Sequence, residues 1–134
     1  MKQLTIDGTP VAKGRPRFGR YGAYTPEKTQ EYEEYIKACW IAKFGCICPS
    51  REPLKVDIVF YMQIPKRANK KQRTEMIEGR IRHMKKPDTD NLIKAVLDAL
   101  NGIAYKDDSQ IYKITAEKKY SENARTEISI KEVN

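Results

Sequence analysis

The segment from residue 87 to residue 102 constrains the fold of this chain more than any other part of the sequence. Pro87 ends the segment before it, and Asp88 then stands at the position of a helix N-cap. Apolar residues follow at spacings of three and four, namely Leu92, Ile93, Val96, Leu97 and Leu100. Gly102 supplies a C-terminal stop. The pattern predicts an amphipathic helix that buries one apolar stripe.

The first turn of this helix carries a compact set of charged residues. Asp88 and Asp90 belong to the turn itself, and Lys94 stands in the i, i+4 relation to Asp90. A second acidic pair, Asp107 and Asp108, follows the helix in a turn before a predicted strand. A chain reversal after the helix would bring this pair to one end of the helix, and periodicity alone does not tell which end. The pair can share a site with Asp88 and Asp90 only if it lies at the N-terminal end.

Two interpretations of these four carboxylates are open. In the first, Asp88 only caps the helix, and Asp107 with Asp108 only forms a solvated turn. In the second, the gathered carboxylates bind Mg²⁺, a hard cation that prefers oxygen ligands and leaves room for substrate phosphate. Two such ions would clamp an in-line phosphodiester cleavage.

The charge of the chain favours a polyanionic partner. The chain has 134 residues, which suits one domain spanning residues 1–134, and its formal net charge is +8. Residues 66–86 contain nine basic residues and only two acidic ones, Glu75 and Glu78. Most of the positive net charge therefore lies in this segment, which we call the basic arm. A second basic stretch near the start holds Lys13, Arg15 and Arg17 with aromatic residues nearby. Both stretches suit phosphate contacts and stacking on an unpaired base.

Compartment and redox state follow from what the sequence lacks. No apolar run approaches the length of a membrane span, and the N-terminus has no signal-peptide core, so we expect a cytoplasmic protein without membrane contact. Cys39, Cys46 and Cys48 make an odd count that suits reduced thiols. A structural zinc site is disfavoured because His83 is the only histidine.

The remaining patterns predict an α+β domain. Alternating apolar residues indicate strands over residues 2–7, 54–62 and 126–130, and a further strand begins near Ile111. Thr25, Pro26 and Glu27 start a second long helix that Gly45 ends, with Tyr32, Tyr35, Ile36, Cys39, Trp40 and Phe44 along one side. The last two strands are predicted to form a β-hairpin. The expected architecture is a small mixed or antiparallel sheet with two main helices packed on it.

Two structures are open for the basic arm over residues 66–86. In the first, Asn69 is the N-cap of a short helix whose last residue is Ile77, with Gly79 as the C-terminal stop signal. The apolar content of that segment is too low for firm burial, which favours a solvated flap.

Residues 87–110 closely resemble the signature of the RusA family of Holliday junction resolvases. That signature opens with Asp-x-Asp-Asn, matched here by residues 88–91, continues with a Lys one turn later, matched by Lys94, and has an Asp-Asp pair after the helix. Flanking stretches are similar as well, from Lys13 to Arg17 near the start and over residues 116–120 near the end.

The resemblance implies roles for particular residues. Asp88, Asp90 and Asp108 would be the metal-binding carboxylates and Lys94 the essential basic residue, while Asp107 would be a turn former or a neighbour of the site. The cofactor would be Mg²⁺, with Mn²⁺ able to substitute, and no small-molecule cofactor is implied. The assembly would be a homodimer, whose two-fold symmetry suits a four-way DNA junction.

The predicted function is therefore Mg²⁺-dependent cleavage of Holliday junctions by paired nicks. Ten residues are predicted to contact DNA, namely Lys13, Arg15, Arg17, Lys66, Arg67, Lys70, Lys71, Arg73, Lys85 and Lys86. One alternative is a non-catalytic basic module that binds branched or single-stranded nucleic acid. Another is a general metal nuclease that acts on flaps or duplex.

Overall fold

The computed structural model describes residues 1–45 and 48–133, and it has the predicted α+β architecture. The elements in chain order are β1 (Lys2–Asp7), β2 (Arg17–Gly19), β3 (Gly22–Tyr24), α1 (Glu27–Phe44), β4 (Leu54–Gln63), α2 (Lys70–Ile77), α3 (Thr89–Leu100), β5 (Ile111–Ser121) and β6 (Arg125–Glu132). Three-residue strands β2 and β3 pair in a small hairpin of their own. The predictions made for Cys46 concern a residue outside the described part.

The main sheet is mixed and has four strands in the order β1-β6-β4-β5. Strand β6 pairs antiparallel with β1 and with β4, whereas β5 pairs parallel with β4. The central position of β4 follows from its sequence, since every second residue from Leu54 to Met62 is apolar and buried. Residues 2–7 and 54–62 therefore form strands as predicted, and β5 begins at the predicted Ile111.

The predicted C-terminal hairpin is wrong, because β5 and β6 are separated by β4. Ser121 lies opposite Gln63, and Arg125 lies opposite Tyr61, so the connection between β5 and β6 crosses the end of β4. Two strand spacings are roughly 10 Å. The short linker spans that distance easily in extended form. A short turn between two strands therefore does not require that they pair.

Helix α1 packs against α3 and against the sheet. Its buried residues include Tyr32, Ile36 and Trp40 of the predicted stripe, and Gly45 ends the helix in the left-handed region at φ 81°. Two details differ from the prediction. Pro26, rather than Thr25, occupies the N-cap position, and Tyr35 is 44% exposed, so it lies outside the buried face.

The amphipathic helix predicted after Asp88 is present as α3. Its buried residues are Leu92, Ala95, Val96, Ala99 and Leu100, which form one continuous stripe. This stripe contributes to the hydrophobic cluster that also contains Ile36, Phe60 and Tyr105. Burial of such a stripe is what stabilises a helix of this length, because isolated helices of about 12 residues are marginal in water.

The basic arm contains a short helix capped by Asn69, the less favoured of the two structures considered for it, and the helix is solvated, as the low apolar content of the segment predicted. The side chain of Asn69 accepts a hydrogen bond from the Gln72 backbone N–H at 2.8 Å, and the Asn69 backbone N–H donates to the side-chain oxygen of Gln72 at 2.9 Å. This capping box starts α2, none of whose residues is buried. Within the described residues, no helix has the length and hydrophobicity that a membrane span requires.

Candidate active site

Asp88 and Asp90 stand at the exposed start of α3, as the sequence predicted. Asp88 is the N-cap residue, but its side chain makes no capping hydrogen bond, and only its backbone carbonyl accepts one, from Leu92 at 3.1 Å. Asp90 accepts a hydrogen bond from the Asn91 backbone N–H at 2.9 Å. Both residues are exposed. The helix start therefore leaves the Asp88 carboxylate free of any capping role, and both carboxylates face solvent.

Lys118 fixes the backbone that leads into this helix. Its ammonium donates to the carbonyl oxygens of Lys85 at 2.9 Å and Pro87 at 3.0 Å. The end of the basic arm is thereby anchored to β5, directly beside Asp88. Sequence reasoning assigned Lys118 no such role, although one signal was available: this lysine shares a strand face with Ala116 and Tyr120, where an apolar residue is expected.

The Asp107–Asp108 pair lies at the opposite end of α3, so the prediction that it returns to the helix N-terminus within one chain is wrong. Tyr105 is fully buried, and its hydroxyl donates to the Leu97 carbonyl at 2.6 Å, which folds the turn onto the C-terminal half of α3. Burial raises the pKa of Tyr105, and the nearby charges of Asp108, Asp98 and Asp107 add to the effect, so it stays a protonated donor.

The length of α3 excludes a shared ion site between the two acidic groups of one chain. The helix has 12 residues and is therefore about 18 Å long. Asp108 precedes the first residue of β5, whereas Lys118, which marks the start of α3, lies near the end of that strand. Among the described residues of a single chain, no three His, Cys, Asp or Glu side chains lie close enough together to hold a metal ion.

The two aspartates of the pair differ in what their side chains do. Asp107 caps the short 3-10 turn Asp108–Gln110, accepting from the Ser109 N–H at 3.1 Å, while Gln110 accepts from the Asp107 N–H at 2.8 Å. The hydrogen bond from Ser109 lowers the pKa of Asp107. Asp108 is exposed and caps nothing. This division of roles favours Asp108 over Asp107 as a ligand.

Lys94 belongs to a chain of ion pairs that joins α3 to α1. Its ammonium lies 3.5 Å from Asp98, one turn further along α3, and the helix keeps Lys94 in the predicted i, i+4 relation to Asp90. The same Asp98 oxygen lies 3.2 Å from the ammonium of Lys13, which in turn contacts Glu33 at 2.8 Å. Sequence reasoning gave Asp98 and Glu33 no role.

Lys13 is therefore a largely enclosed residue, with a side chain only 15% exposed. Burial by itself would lower the pKa of Lys13, but the hydrogen bonds to Glu33 and Asp98 outweigh it, and the net pKa is raised. The lysine stays charged because its partners are charged. The contact of Lys13 with DNA stays a prediction. The structure shows a further role, because Lys13 joins α1 to α3 through its ion pairs with Glu33 and Asp98.

We expect Lys13→Ala to lower the free energy of unfolding by about 1–3 kcal/mol, because it leaves the carboxylate of Glu33 largely buried and without its cation. Urea denaturation at neutral pH measures this. Arg15→Ala is the matched control, since Arg15 is exposed, and its effect should stay within about 0.5 kcal/mol. Equal losses for both variants would contradict the stabilising role of Lys13.

The basic arm presents most of its predicted DNA contacts to solvent. Lys66, Arg67, Lys70 and Lys71 are exposed, as are Lys85 and Lys86 before the acidic helix start. Arg73 is different. It binds Glu122 at 2.9 and 3.2 Å and donates to the carbonyls of Pro65 and Lys66 at 3.1 Å. Arg73 therefore fastens the arm to the connection between β5 and β6.

His83 packs the end of the arm onto the sheet. Its ring centroid lies 5.1 Å from that of Tyr120. Burial lowers the pKa of His83, and the charges of Lys118 and Lys85 lower it further. The imidazole is therefore neutral at neutral pH and adds nothing to the positive charge of the arm.

The fold and the site together define a class: a small basic α+β domain that presents two carboxylates at a helix start beside a cationic arm. Residues 7–131 match the family described as endodeoxyribonuclease RusA. The chain belongs to this family, whose members are hydrolases that act on DNA. It is also 37% identical over 138 residues to a Bacillus subtilis (strain 168) protein described as uncharacterized protein YqaN, with 98% of this chain and 96% of that protein covered.

Proposed function

We propose that this protein is a metal-dependent endonuclease that resolves four-way DNA junctions. The observation that carries the proposal is the exposed pair Asp88 and Asp90 at the start of α3, flanked by Lys85 and Lys86 of a strongly basic arm. A protein that only binds phosphate has no use for carboxylates at that place, because they repel the DNA backbone. Family membership supports the same conclusion.

The donor set suits Mg²⁺, and Mn²⁺ should substitute. Mg²⁺ is held in such enzymes by one or two carboxylates together with substrate phosphates, and Asp88 and Asp90 supply two carboxylates from neighbouring positions. When bound, the ion would supply a nucleophilic water and charge stabilisation for phosphodiester hydrolysis. Asp88 and Asp90 would hold the ion, and Asp108 would complete its protein ligands.

Lys94 would act on the phosphate. Its side chain is 61% exposed, and Asp98 holds it at 3.5 Å on the face of α3 one turn from Asp90. An ammonium at this place would orient the scissile phosphate and neutralise the charge that develops on its oxygens. The exposed arm residues Lys66, Arg67, Lys70 and Lys71 would bind the neighbouring backbone of the DNA.

A homodimer would reconcile the role of Asp108 with its position. Strand β5 is 11 residues long and lies at an edge of the sheet, and its residues 112–115 are all exposed. Tyr112 is 59% and Ile114 38% exposed, so this edge strand leaves two large apolar side chains partly open to solvent. We propose that two copies pair antiparallel along β5 about a two-fold axis.

Such pairing would complete each acidic site with a residue from the other chain. In an antiparallel pair, the start of one β5 lies beside the end of the other. The end of β5 carries Lys118, which holds Pro87 next to Asp88. Asp108 of the partner subunit would therefore approach Asp88 and Asp90. Two such sites related by two-fold symmetry suit paired nicks in a junction of the same symmetry.

A synthetic four-way junction and a linear duplex of the same sequence, each incubated with Mg²⁺ or with chelator, test the proposal. We expect paired symmetric nicks in the junction with Mg²⁺, and no cutting of either DNA with chelator. Binding without cutting would indicate the non-catalytic module instead. Equal cutting of the duplex would indicate a general nuclease.

A further inference from the structure

A cavity of about 700 Å³ opens beside the acidic helix start. Its walls come from the loop over residues 9–17, from the start of α1 and from Pro87. The lining is largely apolar, with Pro10, Val11 and Ala12 on one side and Pro26 on another. Its volume is that of a typical small-ligand site.

The cavity is preformed because hydrogen bonds hold its loop on both helices. The backbone N–H of Lys13 donates to the carbonyl of Asn91 at 2.8 Å. The next N–H, of Gly14, donates to the hydroxyl of the buried Thr29 at 3.0 Å. A Cβ at Gly14 would lie 2.9 Å from the Pro26 ring, so the loop approaches α1 as closely as glycine allows.

The charges around the cavity identify its ligand class. Arg15, Arg17 and Lys28 are among the described residues that line it, and no carboxylate is. All three basic residues are exposed. An apolar cavity with a cationic mouth fits a flat apolar ring that carries phosphate on both sides. Pro87 lines the cavity and precedes Asp88 directly, which places that ligand next to the candidate metal ligands.

We propose that this cavity binds one unpaired nucleobase of the DNA substrate, with the adjoining phosphates on Arg15, Arg17 and Lys28. This inference rests on the proposed function and adds the part of the substrate that is recognised there. The base would leave its stack at the junction and contact the proline rings of the cavity. Its strand would thereby be held in register with Asp88 and Asp90.

Four-way junctions that carry 2-aminopurine at single positions near the crossover test this proposal, in chelator so that no DNA is cut. 2-Aminopurine fluoresces more strongly when it leaves a base stack. We expect a severalfold rise on adding the wild-type protein at one position on each of the two symmetry-related strands. Ala12→Leu, which narrows the cavity by adding side-chain volume to its wall, should strongly reduce the rise and weaken binding of a single-stranded oligonucleotide about tenfold.

Two further variants make the result decisive. Ala42→Leu adds the same volume at an exposed position of α1, away from the cavity, and should behave as wild type. Lys28→Glu changes only an exposed side chain at the mouth and should also reduce the fluorescence rise, which covers the case that Ala12→Leu does not fold. An unchanged rise in both Ala12→Leu and Lys28→Glu, or no rise at any position with bound wild-type protein, would overturn the proposal.

The same samples separate this inference from the proposed function. Cleavage after addition of Mg²⁺ reports the nuclease activity, whereas fluorescence in chelator reports the base site. Cleavage without any fluorescence rise would leave the nuclease and remove the base site. If the protein does not bind the junction, a single-stranded oligonucleotide with 2-aminopurine becomes the probe, and absence of a rise there overturns the inference as well.

Discussion

Asp90→Asn is expected to lower the rate of junction cleavage on the order of a thousandfold, because a neutral amide replaces one of the two charged ligands that a single chain offers to Mg²⁺. Binding of the junction should be almost unchanged in chelator, since the exposed lysines and arginines of the basic arm stay in place. Single-turnover cleavage and gel-shift titration at fixed salt measure the two effects.

Asp7→Asn is the matched control for this variant. Asp7 is an exposed aspartate at the end of β1, on an element that takes no part in the acidic site. Its cleavage rate should equal that of the wild type. Parental cleavage by Asp90→Asn would remove Asp90 from the mechanism, and a parallel loss of junction binding would assign it to DNA recognition instead.

Mixing Asp90→Asn with Asp108→Asn is expected to restore cleavage that neither variant shows alone. If each site takes Asp88 and Asp90 from one chain and Asp108 from the other, a mixed dimer contains one intact site and one with both substitutions. Random pairing makes half of the dimers mixed, so activity should return to about a quarter of the wild-type value. The products should be single nicks, because only one site per dimer is active.

A second mixture controls for the first. Asp88 and Asp90 belong to the same part of the site, so mixing Asp88→Asn with Asp90→Asn leaves no intact site in any dimer and should restore nothing. Chains with two different affinity tags, purified on both tags, verify that mixed dimers are present. No recovery from verified dimers of Asp90→Asn with Asp108→Asn would contradict a site shared between subunits.

Local patterns were sufficient for the two main helices and for the four strands of the main sheet, whereas the β2–β3 hairpin was not predicted. Leu92, Val96 and Leu100 recur at helical spacing, and this alone predicted α3 with its buried stripe. Alternation from Leu54 to Met62 predicted β4 in the same way. The acidic helix start was also predictable, because Asp88 and Asp90 lie within one turn of each other whatever the remainder of the chain does.

Contacts between residues that are distant in the sequence could not be predicted from these local patterns. In the sequence, nothing distinguishes Lys13 from the other basic residues of its loop. In the structure, it is enclosed by Glu33 of α1 and Asp98 of α3. In the sequence, Arg73 is one of many basic residues of the arm. In the structure, it binds Glu122, which follows the end of β5. Periodicity describes which face of an element is apolar, and it does not identify which charged residues meet across elements.

The sequence by itself determined that this chain forms an α+β domain with two neighbouring aspartates at the start of a buried helix and a cationic arm before it. Only the tertiary structure decided that β4 separates β5 from β6 and that Asp108 lies at the far end of α3. The physical reason is that helix and strand periodicity arise within a few residues, whereas strand order and the path of a turn depend on which buried surfaces fit together across the whole domain.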